Sequence, residues 1–203
     1  MSRRRRCARR LPPLCAVLAS GGLGLVACTT VRPPDPAALA EPCPVFLMRS
    51  ASHMAFALPD ETGRYARFGF GDRRYMTNWN WTQYAWGSVL VVGGLFGQPT
   101  ESVVERIEVH GRTLAEVASE SRMETFEFAV ERARAVALRR RLDAKCGPPD
   151  PACAWLHATD DGYSVWWDNC QTAVAGWCRE LGCEISPWRL APRWGPWRVE
   201  RPR

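Results

Sequence analysis

The first 28 residues constrain this chain more than any other stretch. Residues 1–10 hold six arginines and no acid, and residues 11–25 are a short run of mostly Leu, Ala, Val and Gly. That run is too short and too rich in glycine to cross a bilayer comfortably. It ends in Leu25-Val26-Ala27-Cys28, small residues placed before a cysteine. A basic block, an apolar block and a small-residue exit together read as an export signal over residues 1–27, removed from the mature chain. What has to fold is the remaining 176 residues.

Removing the signal changes what the charge means. The whole chain carries +6, from 27 Lys+Arg against 21 Asp+Glu, yet six of the arginines belong to the signal. The mature chain is left with 21 charges of each sign. The basic balance of the full chain therefore reports export and makes no case for nucleic acid as a partner. A chain of this length can close one sizeable core, so one domain is expected.

The cysteines follow the same logic. Of nine, Cys7 and Cys15 leave with the signal and Cys28 stands at its exit. Cys43, Cys146, Cys153, Cys170, Cys178 and Cys183 remain, in a compartment expected to be oxidising. Cys146 and Cys153 flank a Gly-Pro-Pro-Asp-Pro loop and are the expected bridge, while Cys178 and Cys183 lie about one helical turn apart at a helix end broken by Gly182. No CxxC pair occurs, which argues against structural zinc. Neither a metal nor a cofactor is expected.

Along the mature chain, residues 28–44 are rich in Pro, Ala and Thr and read as a tether. Residues 45–58 are strand-like with a bend near Ser50-Ala51-Ser52. His53, Ala55 and Ala57 then share one face, and Met54, Phe56 and Leu58 the other. A turn at Pro59-Asp60-Glu61-Thr62-Gly63 leads to a second strand over 64–70, in hairpin register. An aromatic loop carries Tyr75, Trp79, Trp81, Tyr84 and Trp86. Residues 88–96 are apolar but glycine-broken, and 103–109 alternate as a strand. Phe128, Ala135, Leu138 and Leu142 predict a helix over about 126–143. Residues 187–203 repeat Pro-Trp-Arg and read as a tail strapped onto the domain, with a membrane-surface or glycan-stacking role as the alternative.

The segment with chemistry begins at Asp168-Asn169-Cys170-Gln171. Asp168 is placed to cap a helix, and Gln171 to complete a capping box. Cys170 then sits in the first turn, where free N–H groups and the helix dipole favour a thiolate. Cys170, Val174, Trp177 and Leu181 share a helical face, which turns the sulfur toward whatever the helix packs on. A helix-start cysteine needs a base to act as a nucleophile. Of the three histidines, His110 reads as a turn residue and His157 as packing. His53 stands out because its strand face otherwise carries only alanines, which would let a helix dock closely. A buried small hydrophobe or half of a disulfide remains the alternative for Cys170.

These residues also carry resemblances. Leu25-Val26-Ala27-Cys28 resembles the lipobox of bacterial lipoproteins, which implies that Cys28 is lipidated and becomes the first mature residue. Thr29 after it, rather than Asp, implies outer-membrane sorting, with the inner membrane as the alternative. Ser52-His53-Met54-Ala55-Phe56-Ala57-Leu58 resembles the Gly-Trp-His-Thr strand of a widespread bacterial family of unassigned function. Gly69-Phe70-Gly71-Asp72 is similar to that family's Gly-Trp-Gly-Asp. Tyr163 followed by Asn169-Cys170-Gln171-Thr172 is similar to its Thr-Cys-Asn-Thr-Trp signature. Ala51-Ser52 stands where the family has Gly-Trp, and Ala173 where it has Trp. The order, histidine first and cysteine later, also resembles circularly permuted papain-like folds of the NlpC and lecithin retinol acyltransferase kinds.

The resemblance implies a pair of His53 as base and Cys170 as nucleophile. Asp72, from the Gly-Phe-Gly-Asp motif, is the candidate to orient His53, with turn capping as its other role. The Cys170 N–H would be the oxyanion donor. The expectation is an α+β domain over 45–186, a small antiparallel sheet packed against helices in a permuted papain-like architecture. It would be held at the membrane by lipid and face the periplasm. Its activity would be thiol-dependent hydrolysis or transfer at an amide or ester, in cell-wall peptidoglycan or a lipid acyl group. A non-enzymatic envelope-binding lipoprotein is the rival reading.

Overall fold

The structure, a computed structural model, describes residues 29–50, 53–77, 99–164, 168–186 and 197–200. The export signal with Cys28, most of the aromatic loop, the apolar run at 88–96 and most of the tail lie outside the described residues. The chain runs β1 (Thr29–Arg32), β2 (Pro42–Arg49), β3 (Met54–Pro59), β4 (Tyr65–Asp72), α1 (Arg73–Thr77), β5 (Thr100–Val109), α2 (Leu114–Ser121), β6 (Glu124–Glu131), α3 (Arg132–Lys145), β7 (Pro149–Asp150), β8 (Cys153–Tyr163), α4 (Cys170–Glu180), β9 (Glu184–Ser186) and β10 (Trp197–Val199). Among the described residues no helix is long and apolar enough to cross a membrane.

An α+β architecture is present, but its sheet is not small. Seven strands pair in the order β6-β2-β3-β4-β5-β8-β7, and β10-β1-β9 form a second sheet. Every pairing in the large sheet is antiparallel. Ala51 and Ser52 of the expected bend lie outside the described residues; on either side of them the Ser50 N–H donates to the His53 carbonyl at 2.9 Å, and β2 and β3 pair antiparallel. The turn at residues 59–63 closes the next hairpin. There the Asp60 carboxylate receives the Thr62 and Arg64 N–H groups, and Gly63 takes φ +79°.

Both faces of β3 are buried, as alternating apolar and small residues require of a central strand covered on each side. Met54, Phe56 and Leu58 face a core shared with Phe68, Phe128, Leu138 and Leu142, and with Val174, Trp177 and Leu181 of α4. Ala55 and Ala57 face a smaller core with Phe46, Met48, Tyr65 and Val117 of α2. The cysteine helix thus lies across the Phe56 face, and α2 covers the alanine face. This corrects the expectation that the alanines make room for the cysteine helix. The bulky face carries more apolar area, and the amphipathic side of α4 buries against it.

Two boundaries shift. The helix expected from about 126 begins at Arg132, because Glu124–Glu131 pairs along its whole length with β2. Phe126, Phe128 and Val130 alternate with Glu and Thr, a period-two pattern that the cross-strand partners select over the helical one. The tether shortens as well. Thr29–Arg32 pairs with β9 and β10, and Val31 is fully buried, so the domain starts directly after Cys28. From the tail, Trp197 is buried and its strand runs parallel to β1.

Candidate active site

The site draws on three neighbouring strands, through the alanine face of the sheet, and on the first residue of α4, a helix that packs on the other face. His53, at the entry to β3, is the residue near both. His53 immediately precedes β3, Gly69 lies on β4 and Glu105 on β5. Gly69 pairs with Ala55 on one side and with Glu105 on the other, so all three positions point to the alanine face of the sheet. The His53 ring crosses above Gly69. A Cβ at that position would sit 2.5 Å from Nε2 and 2.8 Å from Cε1 of the ring. Only a glycine leaves this space, and through it His53 Nε2 reaches Glu105 Oε2 at 3.0 Å.

Glu105 is almost wholly buried, with a side chain 3% exposed, and its other oxygen pairs with the Arg67 guanidinium. A buried carboxylate persists only with such partners. Desolvation pushes its pKa up. The hydrogen bond and charge of His53, with the charge of Arg67, outweigh that and hold it below the usual carboxylate range.

Cys170 is the first residue of α4, which Asn169 caps. The Asn169 side chain receives the Gln171 and Thr172 N–H groups, and the Thr172 hydroxyl receives the Asn169 N–H. The capping box is therefore Asn169 with Thr172, one residue later than the expected Asp168 with Gln171. Cys170, Val174, Trp177 and Leu181 are all buried, as their shared face predicts. Cys170 lies near enough to His53 to favour its protonated ring.

His53 is thus flanked by a thiol and a carboxylate. Burial works against its charged form. The neighbouring Cys170 sulfur, the hydrogen bond to Glu105 and the charge of Glu105 prevail, raising the imidazole from 6.5 to about 9. At neutral pH the ring carries the proton.

Asp72 has a different setting. Its buried carboxylate receives the Tyr75 N–H at 2.8 Å and the Thr100 hydroxyl, tying the start of α1 to β5. The acid on the His53 ring is Glu105, not the expected Asp72, and Asp72 takes the turn-capping role. The signal for Glu105 lay in the alternation of β5: a glutamate inside Ser102-Val103-Val104-Glu105 on a strand buried on both faces needs a partner. His157 Nδ1–H donates to the Gly147 carbonyl at 3.0 Å, and His110 is exposed just past β5.

A groove of about 460 Å³ runs beside α4; Asp168, Asn169, Thr172 and Ala173 line it, and Cys170 and His53 do not. Phe70, Val104, Leu142 and Trp177 give it an apolar lining. Ion pairs Arg141–Glu180 and Lys145–Asp161 stand at its rim. All six cysteines of the described residues are free thiols, and Cys146 and Cys153 also pack in separate clusters, so the bridge expected between them is not formed. Among the described residues no group of His, Cys, Asp or Glu is arranged to hold a metal ion. No protein-family model matches the chain, and neither a curated protein nor a solved structure shows significant similarity to it.

Proposed function

We propose that this protein is a thiol hydrolase or acyltransferase acting on an amide or ester, with Cys170 as nucleophile and His53 as its proton partner. The observation that carries the reading is a helix-start cysteine near an imidazole that a buried glutamate, hydrogen-bonded to it at 3.0 Å, keeps protonated. The Cys170 sulfur attacks the acyl carbon, and the carbonyl π electrons move to its oxygen. The cap uses the Gln171 and Thr172 N–H groups, so the Cys170 N–H is the helix-start donor for that oxyanion. Collapse expels the amine or alcohol, which takes the His53 proton and leaves a thioester. A water or an acceptor hydroxyl, losing its proton to the now neutral His53, attacks the thioester and frees the thiol.

The order of the pair, histidine on a strand entry and cysteine on a later helix, supports a permuted papain-like relationship. So do the motif resemblances around His53, Gly69 and Cys170. On that reading the domain is lipid-anchored through Cys28 at the outer membrane and acts on cell-wall peptide or a lipid acyl group. The groove's apolar lining suits an acyl or peptide side chain, and its run along the Asn169, Thr172 and Ala173 side of α4 suits a substrate lying along that helix.

A second reading, a binding lipoprotein that retains the fold without catalysis, draws on one observation: Cys170 is only 8% exposed, while the groove beside α4 is open. Thiol reactivity separates the two. Iodoacetamide should alkylate Cys170 of the native protein rapidly at pH 7, and p-nitrophenyl acyl esters should acylate the same sulfur. A native Cys170 that reacts no faster than a free cysteine, with no acyl-enzyme by mass spectrometry, overturns the enzymatic reading.

A further inference from the structure

We propose that Cys178 and Cys183 form a disulfide that clamps the C-terminal end of the cysteine helix to β9. The helix ends in a Schellman arrangement: the Cys183 N–H donates to the Cys178 carbonyl at 2.9 Å, and Gly182 between them takes φ +89°. In this motif the residues at the two ends of the six-residue loop bring their side chains together, usually as an apolar contact. Here both ends are cysteines. Both are free thiols in this structure, and both side chains are buried in the main core, with Cys178 fully inaccessible and Cys183 6% exposed. The cap sets the two residues at the positions whose side chains meet, so closing the bond asks mainly for side-chain rotation.

The chemistry is a two-electron oxidation by a disulfide oxidant. One thiolate attacks a sulfur of that oxidant and releases its thiol. The other thiolate then displaces the second half, so the two protons and two electrons of the cysteines end on the reduced oxidant. Burial first, and then the neighbouring Cys183, hold the Cys178 thiol well above its ordinary pKa. Exchange therefore belongs to folding, before the core closes around the pair. The inference is independent of catalysis. It leaves Cys170, about two helical turns away and near His53, as a thiol.

The test uses the full chain refolded in a mixture of oxidised and reduced glutathione. Free thiols are blocked in denaturant, and the protein is digested with trypsin without reduction. Cleavage after Arg179 separates the two cysteines, so the disulfide should appear as two joined peptides that part on reduction. Cys170 should carry the blocking group. Cys183→Ser should abolish the joined species, while Cys146→Ser and Cys153→Ser should leave it. Independently of any variant, the oxidised wild type should melt several degrees above the reduced one. Blocked thiols at both 178 and 183 in the refolded wild type would overturn the proposal, as would a joined species surviving Cys183→Ser.

Discussion

His53 and Glu105 stand on opposite sides of an intervening strand, and they meet because the residue between them is a glycine. Nε2 and Oε2 are 3.0 Å apart above Gly69. The link runs perpendicular to the strands, so each partner is fixed by sheet hydrogen bonding. The imidazole presented to Cys170 is thus anchored by the most rigid part of the fold.

The carboxylate should govern the proton on His53. In Glu105→Gln a hydrogen bond can persist but the charge is lost, so the His53 pKa should fall from about 9 toward or below 6.5. Alkylation of Cys170 at pH 7 should slow by about tenfold or more in this variant and at least as much in His53→Ala. Imidazole NMR titration combined with iodoacetamide kinetics would show it. An unchanged His53 titration in Glu105→Gln would contradict the assignment.

The same pair shapes the pH dependence of stability. His53 has a raised folded-state pKa, so its contribution is complete below pH 6.5 and disappears as pH rises through about 9. A rise from 6.5 to about 9 corresponds to about 3 kcal/mol. Glu105, whose pKa is lowered, contributes above the ordinary carboxylate range and loses that contribution as pH falls through its folded value. Urea unfolding at pH 6 and pH 9.5 should therefore show a larger loss for wild type than for His53→Ala. Equal losses would mean that the imidazolium contributes nothing.

Gly69→Ala tests the crossing directly. A methyl group 2.5 Å from Nε2 must push the ring aside, since the neighbouring strands cannot separate. Thiol reactivity should fall by about tenfold, while the melting temperature drops by only a few degrees. A variant that retains full reactivity would show that the ring has another route to Glu105.

Gly176 behaves in the opposite way. It lies inside α4, and a Cβ there meets nothing within 4 Å. Gly176→Ala should stabilise the protein by up to about 1 kcal/mol through helix propensity, measurable in urea. Its methyl enters the groove, so any loss of ester turnover without loss of Cys170 alkylation would place substrate along that wall.

Anchoring has a separate test. Since β1 begins at Thr29, lipid on Cys28 would hold the domain against the bilayer without a spacer. Cys28→Ala should release the protein from the membrane fraction or block its maturation. A soluble wild-type protein whose first residue is not Cys28 would refute the lipoprotein reading.

Much was legible in local patterns, because these depend on near neighbours in the chain. The two hairpins flanking β3 follow from turn residues and two-residue alternation, and the inward face of α4 follows from the spacing of Cys170, Val174, Trp177 and Leu181. A helix-start cysteine, a strand histidine and motif resemblance singled out His53 and Cys170, which the fold brings near one another. Tertiary structure alone decided the rest. Whether Glu124–Glu131 is strand or helix depended on β2 lying alongside, since Phe126 and Phe128 suit both periods. Asp72 and Glu105 were equally acidic on paper. The register of β4 and β5 put Glu105 opposite Gly69 and left Asp72 at the head of α1. A side chain's partner is set by cross-strand register and by which face a helix covers, and both arise from contacts between residues far apart in the chain.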